Sequence, residues 1–389
     1  MSAPSRLRDA ELALIIEDAR TLINVESPSS DRAAIRAVVD AAAAILTADG
    51  FDPEILEIDG CAQLRLIGGP LASPRVLLLG HLDTVWPHGS LETHPSRTTD
   101  GRIEGPGSFD MKVGAALAFA LLRRLGPGAA VTLLLTGDEE IGASTSRTLI
   151  EETASTADAV LVLEASAPGG ALKTRRKGIA EYYLTAEGRA AHAGLEPELG
   201  VNATLALAGA ALEIAGFGDT GLGTTVTPTR LTSGTTLNTV PASGVLCVDS
   251  RAWTVAEQQR VDARMRALRP LIEGAGFRLE GGPSRPPMES ASSADLFRKA
   301  VEAARTLGQV PPEEAHVGGG SDGNFTAALG VPTLDGLGAV GGGAHADDEH
   351  ALVDALLPRL DLLERLVRDL FVDAGPAWSA GTNASATVV

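Results

Sequence analysis

Residues 131–144 read VTLLLTGDEEIGAS, an apolar run closed by Gly137 and followed at once by three adjacent carboxylates, Asp138, Glu139 and Glu140. A continuous apolar run of this length, bounded by a glycine and charges, is the pattern of a strand buried on both faces. RVLLLG (75–80) and AVLVLEA (159–165) repeat it. Helical periodicity fills the gaps, near residues 111–125 and 144–153. Buried strands alternating with helices predict an α/β fold, a sheet flanked by helices. Ligands of such folds bind beyond the carboxyl ends of the strands, so the residues just after each run are the candidates for chemistry.

Outward from this block, two helical patterns open the chain at 9–24 and 31–49, each beginning near an aspartate able to cap it. From about Gly178 the texture changes. GIAEYYLTAEG and TTVTPTRLTSG alternate as strands do, a helix near 202–214 lies between them, and VLCVDSRAW leads into another helix. This stretch reads as a separate α+β unit. After Pro286 the first texture returns, with a helix near 294–307, a turn at 318–322, a strand in VPTLDG and a last helix near 353–370. The expected organisation is a discontinuous catalytic domain, 1–177 and 287–375, interrupted by an inserted domain at 178–286. A tail without periodicity, 376–389, is expected to be flexible.

Among the 389 residues hydrophobic types make up 44% but aromatics only 3%, which predicts an aliphatic core. A net charge of −18 opposes binding to a phosphate backbone and excludes nucleic acid as a partner. The basic run Lys173, Arg175, Arg176 and Lys177 reads as a solvated face, with the gathering of a small anionic substrate as the alternative. The N-terminus lacks the apolar core of a signal peptide, and no stretch approaches the ~18 apolar residues that span a bilayer, so a cytoplasmic protein without a membrane partner is expected. Cys61 and Cys247 have no paired spacing and read as buried, reduced thiols.

His81, Asp83 and Thr84 follow the first run, Glu139 and Glu140 the second, and Glu164 closes the third. GPGSFDMK carries Asp110 after small residues, and GGGAHADDEH carries His345 after a glycine run. Two imidazoles among carboxylates suit zinc, or manganese and cobalt. Separate solvated acids have no reason to recur at successive strand ends.

GHLDTVWP, GPGSFDMK, LLTGDEEIG, VLEAS and GAHADDEH, in that order, resemble the motifs of the di-zinc aminoacylase and carboxypeptidase superfamily. The resemblance is strongest to its bacterial glutamate carboxypeptidase branch. It extends to AAHAGLEPELGVNA, TLNTVPASG and GGGSDGN. It implies a zinc-peptidase catalytic domain with a mixed sheet, interrupted by a ferredoxin-like dimerisation or lid domain. By the same resemblance Asp110 bridges two zinc ions, His81 and Glu164 complete one site, and Glu140 and His345 complete the other. Cobalt or manganese are the expected substitutes.

Asp83 is then expected to hold the His81 ring from behind, and the Asp110–Met111 peptide to be cis. In an extended segment Glu139 and Glu140 project to opposite sides, so one ligates and the other works; the resemblance gives Glu140 to the metal and gives Glu139 the proton transfer between water and the leaving amine. In related dimers the equivalent of His192 reaches the active site of the other subunit and stabilises the oxyanion. Asn238 is similar to a substrate amide, Arg251 to the arginine that clamps the substrate carboxylate, and Arg285 to a second carboxylate contact. Gly318, Gly319 and Gly320 resemble a substrate loop. His88, His94, His316 and His350 are read as structural or surface residues.

The expected activity is removal of a C-terminal amino acid, glutamate first among the candidates, from a small peptide or N-acyl conjugate by a homodimeric enzyme. The alternative within the superfamily is an N-acyl-amino-acid deacylase or desuccinylase. A silent metal- or ligand-binding homologue is the alternative of another class, disfavoured because five ligand positions and Glu139 are all filled.

Overall fold

The computed structural model describes residues 3–69 and 75–373; the tail at 376–389 lies outside the described residues. Two compact units form: Met1–Thr174 with Ser290–His316 and Ser321–Val389, and Arg175–Glu289 with Val317–Gly320. Val317–Gly320, expected in the second catalytic segment, group instead with the inserted unit. The reason is local: the Lys177 amide donates to the Val317 carbonyl, and Arg176 Nη1 donates to the carbonyls of Gly319 and Gly320.

In the first unit α1 (Ala3–Ile23) and α2 (Arg32–Ala48) precede β1 (Glu54–Ile58), β2 (Cys61–Ile67) and β3 (Val76–His81). Asp31 caps α2, accepting from the amides of Ala33 and Ala34. Asp9, the other expected cap, lies inside α1, which begins at Ala3. Then come α3 (Val113–Leu125), β4 (Val131–Thr136), α4 (Arg147–Ala154) and β5 (Ala159–Val162).

The inserted unit contains β6 (Gly178–Glu187), α5 (Ala203–Ala215), β7 (Thr225–Ser233), β8 (Ser243–Ala252), α6 (Val255–Ala267) and β9 (Gly276–Arg285). The chain returns to the first unit with α7 (Ser290–Thr306), β10 (Thr333–Leu334) and α8 (Leu356–Asp373).

The central sheet has the order β1-β2-β4-β3-β5-β10. β3, β4, β5 and β10 are mutually parallel, while β1 and β2 join antiparallel, so the sheet is mixed. Leu78, Leu133, Leu135 and Leu161 pack on one face with Ile15 and Leu22 of α1, Val38 of α2, Phe119 of α3 and Leu363 of α8. Leu77, Leu79, Leu134 and Val160 pack on the other with Leu149 and Ile150 of α4 and with Phe325. Both faces are covered, which is why the strands read as unbroken apolar runs rather than alternating ones.

The second unit is a β-α-β-β-α-β chain with antiparallel order β7-β8-β6-β9, the ferredoxin-like arrangement. Tyr182 and Leu184 of β6 and Leu246 and Val248 of β8 pack against Leu207 of α5 and Val261 and Met265 of α6. Alternate residues of β6 are buried, as one covered sheet face requires. The basic run is not a solvated face: Arg176 is buried, and Arg175 and Lys177 lie over the Trp253 ring. Cys61 is buried, but Cys247 is only partly so; both are unpaired thiols. No helix among the described residues is long and apolar enough to cross a membrane.

Candidate active site

The first unit alone gathers the strand-end residues. His81 is the last residue of β3, Glu140 lies in a short turn of helix after β4, and Glu164 follows β5 by two residues. Asp110 comes from the Ser108–Lys112 turn ahead of α3, with the Asp110–Met111 peptide in the cis form. His345 stands in the loop before α8, on backbone with φ of 62°.

His81 Nε2 lies 3.2 Å from Asp110 Oδ1 and 3.5 Å from Glu164 Oε1. His345 Nε2 lies 3.5 Å from Asp110 Oδ2 and 3.3 Å from Glu140 Oε1. Two triads thus share Asp110, each oxygen of which faces a different imidazole; within each triad the offered atoms lie within 4.8 Å of one another.

The spacing fits a metal ion. Nitrogen and oxygen ligands about 2.0–2.1 Å from one tetrahedral zinc stand roughly 3.3–3.5 Å apart, close to the 3.2–3.5 Å found here. Each triad supplies three ligands, the number that leaves a catalytic zinc an open position. Glu140 Oε1 is buried without a well-aligned hydrogen bond, as an oxygen that awaits a cation would be.

The field of the cluster points the same way. Contacts with Asp110 and then Glu140 push the His345 imidazole up to about 10. Burial opposes charge on His81, yet contacts with Asp110, Asp83 and Glu164 raise it well above its ordinary value. Burial favours a neutral Asp110, but hydrogen bonds from both histidines outweigh it and hold the carboxyl below the usual range. The carboxylates call for positive charge at both imidazoles, which protons or metal ions can meet.

Asp83 supports the site more broadly than expected. His81 Nδ1 is 3.0 Å from the Asp83 backbone carbonyl and 3.3 Å from its carboxylate, which keeps Nε2 toward the shared cluster. The same carboxylate accepts the amides of Glu139 at 3.2 Å and Glu140 at 3.1 Å. Glu139–Ile141 form a turn of 3₁₀ helix and not the extended segment assumed for the glutamate pair. The two side chains diverge all the same, because successive residues of such a helix point about 120° apart.

Asp138 has a different place from its neighbours. It is buried and accepts both the Thr145 amide at 2.7 Å and the Thr145 hydroxyl at 2.8 Å. Gln63 completes the brace, donating to Thr145 Oγ1 and accepting the Gly137 amide. Of the three adjacent acids, Asp138 therefore serves a loop brace and Glu140 one of the two triads.

Glu349, within ADDEH, escaped the sequence reading. Its fully buried carboxylate accepts amides from Gly107, Phe109 and Asp110 at 2.9–3.0 Å and the Trp86 indole at 2.6 Å. It holds the turn that presents Asp110, where Gly107 adopts φ of 74°, a conformation glycine tolerates. Only its proximity to His345 in the sequence hinted at this.

Of the set-aside histidines, His94 stacks on Trp86 and accepts the Gly105 amide, His88 pairs with Asp31, and His350 Nδ1 lies 2.8 Å from the Asp348 carbonyl. His345, not His350, joins the cluster.

The remaining candidates belong to the second unit. His192 and Asn238 are exposed neighbours: the Ala193 amide donates to the Asn238 carbonyl. His192 Nδ1 accepts from the Gly194 amide at 3.1 Å, which assigns the ring proton to Nε2. Arg251 is engaged by Asp249 through Nε at 3.0 Å and Nη2 at 2.9 Å. Arg285 is buried with its Cδ beside Gly320. A Cβ on Gly318 or Gly319 would meet open space, so packing does not explain glycine there.

The model of peptidase family M20/M25/M40 matches residues 77–369. Carboxypeptidase G2 from Pseudomonas sp. (strain RS-16) is 31% identical over 92% of this chain and 90% of its own. A succinyl-diaminopimelate desuccinylase from Xylella fastidiosa (strain 9a5c) is 28% identical over 90% of this chain and 97% of its own. Among solved structures, the M20 family metallo-carboxypeptidase Sso-CP2 from Sulfolobus solfataricus superposes with a TM-score of 0.72 at 16% identity, covering 93% of this chain and 99% of that one. The parallel strand ends and clustered carboxylates, with these similarities, identify the chain as a hydrolase belonging to peptidase family M20/M25/M40.

Proposed function

We propose that this protein is a zinc-dependent amidohydrolase that removes the C-terminal amino acid, glutamate first among the candidates, from a small peptide or N-acyl conjugate. The observation that carries the reading is the pair of ligand triads sharing Asp110, with Glu139 next to Glu140. His81, Asp110 and Glu164 hold one ion, and Asp110, Glu140 and His345 the other; cobalt or manganese can replace zinc in such ligand sets. When bound, the two cations supply Lewis acidity toward water and the scissile carbonyl.

Glu139 takes a proton from the attacking water as the C–O bond forms and returns it to the leaving nitrogen as the C–N bond breaks. Asp83 fixes the His81 ring and the Glu139–Glu140 turn. His192 donates its Nε2 proton to the oxyanion, a role that the acceptor contact at Nδ1 supports. Arg251 receives the substrate carboxylate, held in place by Asp249 and retaining Nη1 for the ligand. Asn238, Arg285 and the loop at Gly319 and Gly320 contribute to substrate binding. The open space around Gly319 supports that role.

The reading includes a homodimer formed through the inserted unit. It is supported by β7, an edge strand of that unit's sheet, and by exposed Leu205, Leu212 and Leu231. The two unpaired thiols support a cytoplasmic setting. A second reading, deacylation or desuccinylation of N-acyl amino acids, rests on the similarity to the desuccinylase.

Hydrolysis of C-terminally varied dipeptides, N-acyl amino acids and folate-type conjugates separates the two. Preference set by the C-terminal residue supports the carboxypeptidase reading, and preference set by the acyl group the other. Mixed dimers of His192→Ala and Glu139→Gln chains should recover activity if the histidine crosses between subunits; verified mixed dimers without activity would refute that crossing.

A further inference from the structure

A cavity of about 430 Å³ lies in the first unit, walled by residues such as Gly170, Val310, Pro311, Val340, Arg359 and Leu362. Its lining includes none of the residues in the two triads. Arg359, near the start of α8, is 6% exposed. Its Nη2 donates to the Gly170 carbonyl at 3.0 Å, while Nη1 is buried with no acceptor among the described residues.

Burial lowers this guanidinium, to about 10, so it remains a cation at neutral pH, and among the described residues no acidic group pairs with it. Glu313, the acid of the wall, is exposed. A buried charge without a counter-charge is costly, and such charges in folded proteins are normally paired.

We propose that this cavity is a binding site for a small organic carboxylate with a short apolar body, its carboxylate taken by Arg359 and its body by Val310, Pro311, Val340 and Leu362. The walls decide the class. One cation balances a single negative charge, while proline, valine and leucine offer nothing to solvate the second charge of a phosphate.

Calorimetric titration of the full-length, metal-loaded protein with isovalerate tests the site, with isovaleramide and inorganic phosphate as comparison ligands. A carboxylate also has access to the triads, so two variants outside them isolate this cavity. Arg359→Met removes the charge. Val310→Trp fills the cavity from a residue that is 91% exposed and so leaves folding intact.

The expected result is a saturable isovalerate event weakened about tenfold or more in both variants and with the amide, a factor worth ~1.4 kcal/mol. Binding unchanged in both variants, absence of any saturable isovalerate event in the parent protein, or tighter binding of phosphate than of isovalerate would overturn the proposal. If Arg359→Met fails to fold, Val310→Trp alone decides.

Discussion

Asp83 Oδ1 lies 3.3 Å from His81 Nδ1, and the same oxygen accepts the Glu139 amide at 3.2 Å. One carboxylate therefore couples the ring orientation of a proposed ligand to the backbone that carries the proposed proton carrier. Asp83→Asn keeps the size but places an amide N–H₂ where an acceptor faces two backbone donors and an imidazole. Metal affinity should fall by ~10–100-fold, the usual consequence of losing a partner behind a metal-bound histidine. Competition with a chromogenic chelator measures this; unchanged affinity would show that Asp83 orients nothing.

Glu349 tests the turn that carries Asp110. Glu349→Gln replaces one acceptor oxygen with a donor facing either the amides of Phe109 and Asp110 or the Gly107 amide and the Trp86 indole. Hydrogen bonds to charged groups contribute roughly 1.5–3 kcal/mol each, so unfolding free energy should drop by about 2–4 kcal/mol. Urea unfolding of the metal-loaded protein checks the size, and metal content checks that the loss reaches Asp110.

Glu257 gives a pH-dependent prediction in the inserted unit. Hydrogen bonds from Arg260 and then Thr224 hold its carboxyl down at about 2, against an ordinary value of 4.5. A depressed folded value stabilises the protein fully above the unfolded value, and that contribution is lost as pH falls through the folded one. Glu257→Gln should therefore destabilise the unit most at neutral pH, with the difference shrinking between about pH 4.5 and 2. Denaturant midpoints of the two proteins across that range provide the measurement; a constant difference would contradict it.

Much of the fold was legible because its strands are buried on both faces, which leaves short apolar runs such as 131–136 that few other structures produce. β1, β2 and β9 were not identified: they carry charged residues such as Glu54, Arg65 and Arg278 and have no unbroken apolar run. The gathered triad residues were legible at the strand ends, since parallel strands bring their carboxyl ends together whatever lies between them in the chain. Glu349 and Asp138 were not, because their work is done on backbone amides of distant turns, which no spacing reveals. Arg176 was misread for a similar reason: its partners are the carbonyls of Gly319 and Gly320, more than a hundred residues away.

Metal stoichiometry tests the central claim most directly. Zinc per chain, measured by plasma mass spectrometry after reconstitution and gel filtration, should be two for the parent protein and for Glu139→Gln, while Glu139→Gln loses ~100-fold or more in turnover. His345→Ala should retain about one ion and Asp110→Ala neither, since Asp110 alone belongs to both triads. Full hydrolytic activity with one ion or none per chain, or two tightly held ions in Asp110→Ala, would contradict the account.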